Sequence, residues 1–138
     1  MKAEHADGSF MDHLLFCHDY CAVHFKGHSP RVLLLHSILG VGTNIFPIKT
    51  SQMPKLESLI NHAEMMHIQA FPSVLRLMYA GLITALEALP PHELAAMKTV
   101  HFNRVIDNKP ISLSALEFWE HLNFHLIHQV CHAKLNLN

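Results

Sequence analysis

The chain has 138 residues, half of them apolar, and a formal net charge of −1 with histidine neutral. That length fits one domain with a proper core, and the apolar fraction argues against disorder. The charge balance offers nothing for electrostatic capture of nucleic acid or an anionic membrane, and the longest apolar runs, at 32–35 and 37–41, are far too short to span a bilayer.

The N-terminus "MKAEHADGSFMDH" lacks the cationic start and apolar block of a secretory signal. Three cysteines, Cys17, Cys21 and Cys131, make an odd count without a disulfide framework. Both features lead us to expect a cytoplasmic protein. The anomaly is histidine, with 14 residues, about a tenth of the chain.

Proline and glycine punctuate the chain into helical lengths. Phe10, Leu14, Leu15, Cys17, Cys21, Val23 and Phe25 have roughly helical spacing and predict a first helix over 10–26. Gly27 stops it. Ser29 and Pro30 then form a cap and first-turn pair. Residues 30–46 are almost wholly apolar and predict a buried second helix.

A loop follows in "PIKTSQMPK", then a more polar helix over 53–70 that Pro72 breaks or kinks. An amphipathic helix resumes over 73–89. "LPPHEL" turns the chain and starts a short segment over 91–100, and "HFNRVIDNKP" reads as a loop with at most a brief extended piece. Ser112 or Ser114 caps the last helix, with Glu117 completing a capping box from Ser114, and the helix runs to about Leu135. No segment shows sustained alternation. The expectation is therefore a single all-α domain over 1–138, with 1–9 flexible: four main helices in a bundle plus one or two short extra ones.

His121, His125, His128 and His132 follow one another at spacings of four, three and four, which puts them on one face of the last helix. Trp119, Leu122, Leu126 and Val130 take the opposite face, so the histidines face a partly enclosed space. Two imidazoles four apart on a helix can converge on one divalent ion. A catalytic ion needs a third protein ligand and an open position, and His36 in "RVLLLHSILGVG" is the best candidate for that ligand. The plainer alternative is a set of hydrogen-bonded core histidines.

The other histidines carry less. His13, His18, His24 and His28 are irregularly spaced, His62 and His67 sit on the polar helix and read as solvated, and His92 and His101 fall in turns. Cys17 and Cys21, four apart, read as buried small hydrophobes rather than a soft-metal or redox pair. "LGVGTN" is followed by no lysine and does not form a phosphate loop; G-x-S-x-G and H-E-x-x-H are absent, and the carboxylates form no obvious pair.

"SPRVLLLHSILGVGTNIF", "ITALEALPPHELAAM" and "SLSALEFWEHLNFHLIHQVCHAKL" together resemble the second helix, the end of the third and the last helix of the DinB/YfiT-like metal-binding bundles. The resemblance covers roughly residues 29–135. It implies an up-down four-helix bundle with a long crossover and a zinc or nickel ion held by three histidines. His36 falls in the family's second-helix ligand place. Counting from the capping serine puts His125 and Gln129 in the places of the last-helix pair; sliding by three puts His128 and His132 there and completes a triad with His36. The family implies a thiol-dependent transferase or a related metal-dependent hydrolase acting on a small molecule. It also implies a homodimer, for which Phe71, Leu75, Met78 and Leu82 offer a surface unless that stripe packs inside the monomer. The alternative is a non-catalytic bundle of the same fold, acting as a metal or pH sensor or an interaction module.

Overall fold

Cys17 and Cys21 are both fully buried, and their four-residue spacing fixes the inward face of the first helix. In the computed structural model, which describes residues 2–40 and 48–137 and the side chains of 11–40 and 48–134, this helix is α1 (Lys2–His24). It reaches into the segment expected to be flexible. It stops where the Phe25 amide donates to the Cys21 carbonyl and Gly27 adopts φ 97°, a left-handed conformation that glycine takes without steric cost.

Pro30 opens α2 (Pro30–Leu34) after an extended Ser29. The helix expected over 30–46 is far shorter than its composition suggested. Residues 35–39 form turns, and Gly40 donates to the Ser37 carbonyl with φ 108°. A helix cannot continue through that dihedral. The expected helix beyond residue 40, and most of "LGVGTN", lie outside the described residues.

A single 3-10 turn, Thr50–Gln52, leads into α3 (Met53–Leu59). The break then comes at Ile60 and Asn61, not at Pro72. Ile60 is extended, and Asn61 caps α4 (His62–Tyr79): its side chain accepts from the Glu64 amide at 2.8 Å while Glu64 accepts from the Asn61 amide at 3.0 Å. This reciprocal box satisfies two amides that a helix start otherwise leaves without partners. Pro72 sits inside α4. The unbroken burial of 70–74 around it shows tertiary packing outweighing the cost of one missing backbone hydrogen bond. The helix expected over 73–89 is interrupted in turn by Gly81 at φ 101°, which separates α4 from α5 (Leu82–Glu87). A short α6 (Pro91–Ala96) follows.

The chain is mostly helical, and among the described residues it also carries one small hairpin. Strands β1 (Thr99–Asn103) and β2 (Pro110–Ser114) pair antiparallel, with Val100 opposite Leu113 and Phe102 opposite Ile111. In both "TVHFN" and "PISLS" every second residue turns inward, the period of a half-buried strand. Arg104 and Asp107 close the connecting loop. The guanidinium donates to the Asp107 carboxylate, from Nε at 2.8 Å and from Nη2, and Nη1 donates to Gln69 at 3.2 Å. The hydrogen bonds from Arg104 hold the Asp107 carboxyl below its ordinary range against a smaller opposing effect of burial. Ser73 anchors the hairpin to α4 by donating to the Asn103 carbonyl.

The last helix, α7 (Ala115–Leu137), starts as expected from Ser114: Glu117 donates its amide to the Ser114 hydroxyl at 3.1 Å and accepts from the Ser114 amide at 2.8 Å. The chain is mostly helical. It forms two compact units, Met1–Leu35 with Leu122–Asn138, and His36–His121. Buried residues of the first include Cys17, Cys21, Val32, Leu33, Phe124, Ile127 and Cys131. Those of the second include Met65, Ile68, Phe71, Val74, Leu113 and Phe118. No helix among the described residues is long and apolar enough to cross a membrane.

Candidate metal centre

On α1, His13 lies one turn before Cys17, on the same inward stripe. Its half-buried ring makes edge contacts with two histidines of α7: His128, at a centroid distance of 5.4 Å, and His132, at 5.6 Å. His128 and His132 are themselves 6.0 Å apart, one helical turn. The Cys17 sulfur stands 3.8 Å from each nitrogen of the His13 ring. Burial, and then the neighbouring His132, push the His13 pKa below the ordinary value of 6.5. The neutral imidazole this favours is the form that binds a metal.

His36 supplies the third ring. It follows Leu35, the last residue of the α1–α2 segment of the first unit, by one peptide bond. Its side chain is buried, with the Phe71 ring 5.0 Å away. His13, His36 and His128 each offer a ring nitrogen, and these three atoms all lie within 4.8 Å of one another. Two imidazole nitrogens on one tetrahedral ion with bonds of ~2.1 Å stand roughly 3.4 Å apart. Small side-chain rotations would therefore bring this donor set onto an ion. Three imidazole nitrogen donors suit a transition-metal ion better than hard cations such as magnesium or calcium.

Of the five histidines singled out in the sequence, the structure brings His36 and His128 into this group, with His132 beside it and exposed. His125 is buried, and burial, followed by His128, pushes its pKa down to about 3. His121 belongs to a different pair. Its Nδ1 lies 3.1 Å from His67 Nδ1, both rings are buried, and they stack with 4° between their planes. A hydrogen bond between two such nitrogens needs one of them to carry the proton and the other to be bare. Glu120 reaches within 3.8 Å of the other nitrogen of His67.

Two of these placements differ from what spacing suggested. His13 looked irregular only against the other histidines of its helix. Measured against Cys17 and Cys21 it falls in register, at 13, 17 and 21, on the buried stripe. The polar composition of its helix suggests a solvated His67, yet it lies on the same face as Glu64, Ile68 and Phe71, all buried. The dimer stripe is also partly internal: Phe71 is buried, while Leu75, Met78 and Leu82 are half-buried.

No protein-family model, curated protein or solved structure matches the chain.

Proposed function

We propose that this protein binds one divalent metal ion, zinc or nickel, through His13, His36 and His128, and uses it as a catalytic centre of the kind found in DinB-like bundles. The observation that carries the reading is the convergence of three imidazole nitrogens within 4.8 Å. Three protein ligands leave one position of a tetrahedral ion for a small molecule, the pattern of catalytic rather than structural sites. When bound, the ion supplies a Lewis acid that lowers the pKa of water or a thiol at that position.

The chain's own residues then do three things. His13, His36 and His128 hold the position as neutral donors. His36 takes its place from a buried setting against Phe71, and His13 from the inward face of α1. His132, exposed and in ring contact with both His13 and His128, stands where it can carry a proton between the site and bulk water. A small thiol is the substrate class that the family resemblance implies.

The test is metal content. Protein stripped with chelator and reloaded with zinc or nickel is expected to retain one equivalent after desalting. His13→Ala, His36→Ala and His128→Ala are each expected to retain little, while His62→Ala, an exposed control on α4, retains it all. A wild-type protein that keeps no metal overturns the proposal. Loss in His132→Ala with full retention in His13→Ala would instead point to the triad expected from the family, His36, His128 and His132.

A second reading, a pH-responsive bundle without catalysis, is favoured by the His67–His121 bond. Doubly protonated, the two rings would lose that bond and repel each other. It predicts a conformational change in mild acid that His67→Phe removes, whether or not metal is bound.

A further inference from the structure

Within the second unit, α4 and the hairpin enclose a cleft of about 260 Å³. Arg76 and Leu77 line it from the last two turns of α4, Phe102 from β1, and Arg104, Val105 and Asn108 from the hairpin loop. The Ser73 hydroxyl, donating to the Asn103 carbonyl, ties the two walls together. The lining residues include two guanidinium groups and no carboxylate. Arg104 is buried and fixed, since Asp107 and Gln69 accept from three of its five N–H groups, and Asp107 matches its charge. Arg76 is exposed and already has a contact within the protein. A carboxylate takes only two adjacent N–H groups of a guanidinium fork, so that contact does not exclude one. The loop also holds an uncommon conformation. Asn108 has φ 60° while its amide donates to the Arg104 carbonyl at 2.8 Å. Left-handed backbone costs energy in a residue with a β-carbon, and such residues concentrate where a loop meets a ligand.

From this cleft we infer a binding site for a small organic acid: Arg76 and the Asn108 amide take its carboxylate, and Leu77, Phe102 and Val105 receive its apolar body. An apolar lining with a few polar groups is the usual make-up of a small-molecule pocket. The volume holds about nine water-sized groups, which fits a small aromatic or branched acid. A phosphate suits the cleft less well. Arg76 lies near the C-terminal, negative end of the α4 dipole, which opposes a dianion more strongly than a monoanion. This inference does not rest on the divalent reading, and the two sites share no residue.

The test is a titration of the whole nitrogen-15-labelled protein with sodium benzoate, an acid of that size, followed by NMR. Wild type is expected to show saturable shifts in the amides of 102–108 and in the Arg76 Nε–H, with a dissociation constant of about 1 mM or below. Benzyl alcohol, the same body without the charge, is expected to bind at least about tenfold more weakly, as is benzoate to Arg76→Met. Asn108→Gly, which suits the backbone there, is expected to lose at least about threefold. Lys98→Met, which removes an exposed cation outside the lining, should stay within about twofold of wild type. Absence of saturation up to about 10 mM benzoate overturns the inference, as does undiminished affinity in Arg76→Met or an equal loss in Lys98→Met. Inorganic phosphate binding as tightly as benzoate overturns the carboxylate class. Should Arg76→Met not fold, wild type decides: equal affinity for benzyl alcohol and benzoate overturns the anion site, and a clear preference for benzoate with shifts centred on 102–108 supports it.

Discussion

His125 shows how much one imidazole can weigh in this core. Burial holds its pKa near 3 against an ordinary value of 6.5, so the folded protein holds the ring neutral while the unfolded chain lets it protonate. A depressed folded pKa stabilises fully above the unfolded value, and the contribution shrinks as pH falls from about 6.5 toward 3. Each unit of that fall costs up to about 1.4 kcal/mol for this one proton. His13 shifts in the same direction. Asp107 belongs to a separate and lower window: its carboxyl is held below 3.8 mainly by hydrogen bonds from Arg104, so its contribution is present above about 4 and fades only in stronger acid. Urea denaturation at pH 7, 6 and 5 should show stability dropping steadily, with a shallower drop in His125→Leu. Equal slopes in the two proteins would mean that His125 is not held neutral. What the sequence revealed of this residue was its line with His121, His128 and His132. Which neighbour each of the four would meet was not legible, because that depends on what packs over the stripe, and the answers differ: His67 for His121, His13 for both His128 and His132.

At the scale of elements, local chemistry was readable wherever a side chain bonds its own backbone. Ser114 and Glu117 start α7 as their three-residue spacing required. Asn61 and Glu64 carry the same signature and start α4 in the same way, while Pro72, the more conspicuous signal, lies inside the helix. Proline is a strong breaker in an exposed helix, but burial on every side of 70–74 overrides that preference. The hairpin escaped for a related reason. Two five-residue alternations are brief signals, and their six-residue connection reads as plain loop until Arg104 and Asp107 are seen to clamp it. The caps can be weighed directly. Asn61→Ala and Ser114→Ala should each lower unfolding free energy by about 1 kcal/mol, measured by chemical denaturation, while Asn61→Ser should recover most of the loss. A neutral Asn61→Ala would mean that α4 draws its start from packing alone.

For the molecule as a whole, the apolar fraction pointed to a real core and the apolar spacing to a mostly helical chain, but neither marked the two compact units. The first unit gathers residues from both ends of the sequence, Met1–Leu35 and Leu122–Asn138, around the segment that makes the second. Such closure by distant segments leaves no mark in local periodicity. It also brings together two donors of the proposed centre, His13 near one end of the sequence and His128 near the other.

One helix belongs to both units: α7 contributes residues through His121 to one and from Leu122 onward to the other. The carbonyls of 118–121 accept from the amides of 122–125, so a single ladder of backbone bonds crosses the junction. Melting on one side should therefore propagate to the other, and the protein should denature in one step. Two reporters can follow this separately: Trp119, the sole tryptophan, and the buried thiol of Cys131. In wild type, fluorescence change and thiol labelling should track the same denaturant midpoint. Asn123→Pro cuts the ladder just past the junction, at a cost of about 3 kcal/mol, and should pull the two curves apart. If the curves stay superimposed in the variant, the cooperativity comes from something other than the shared helix.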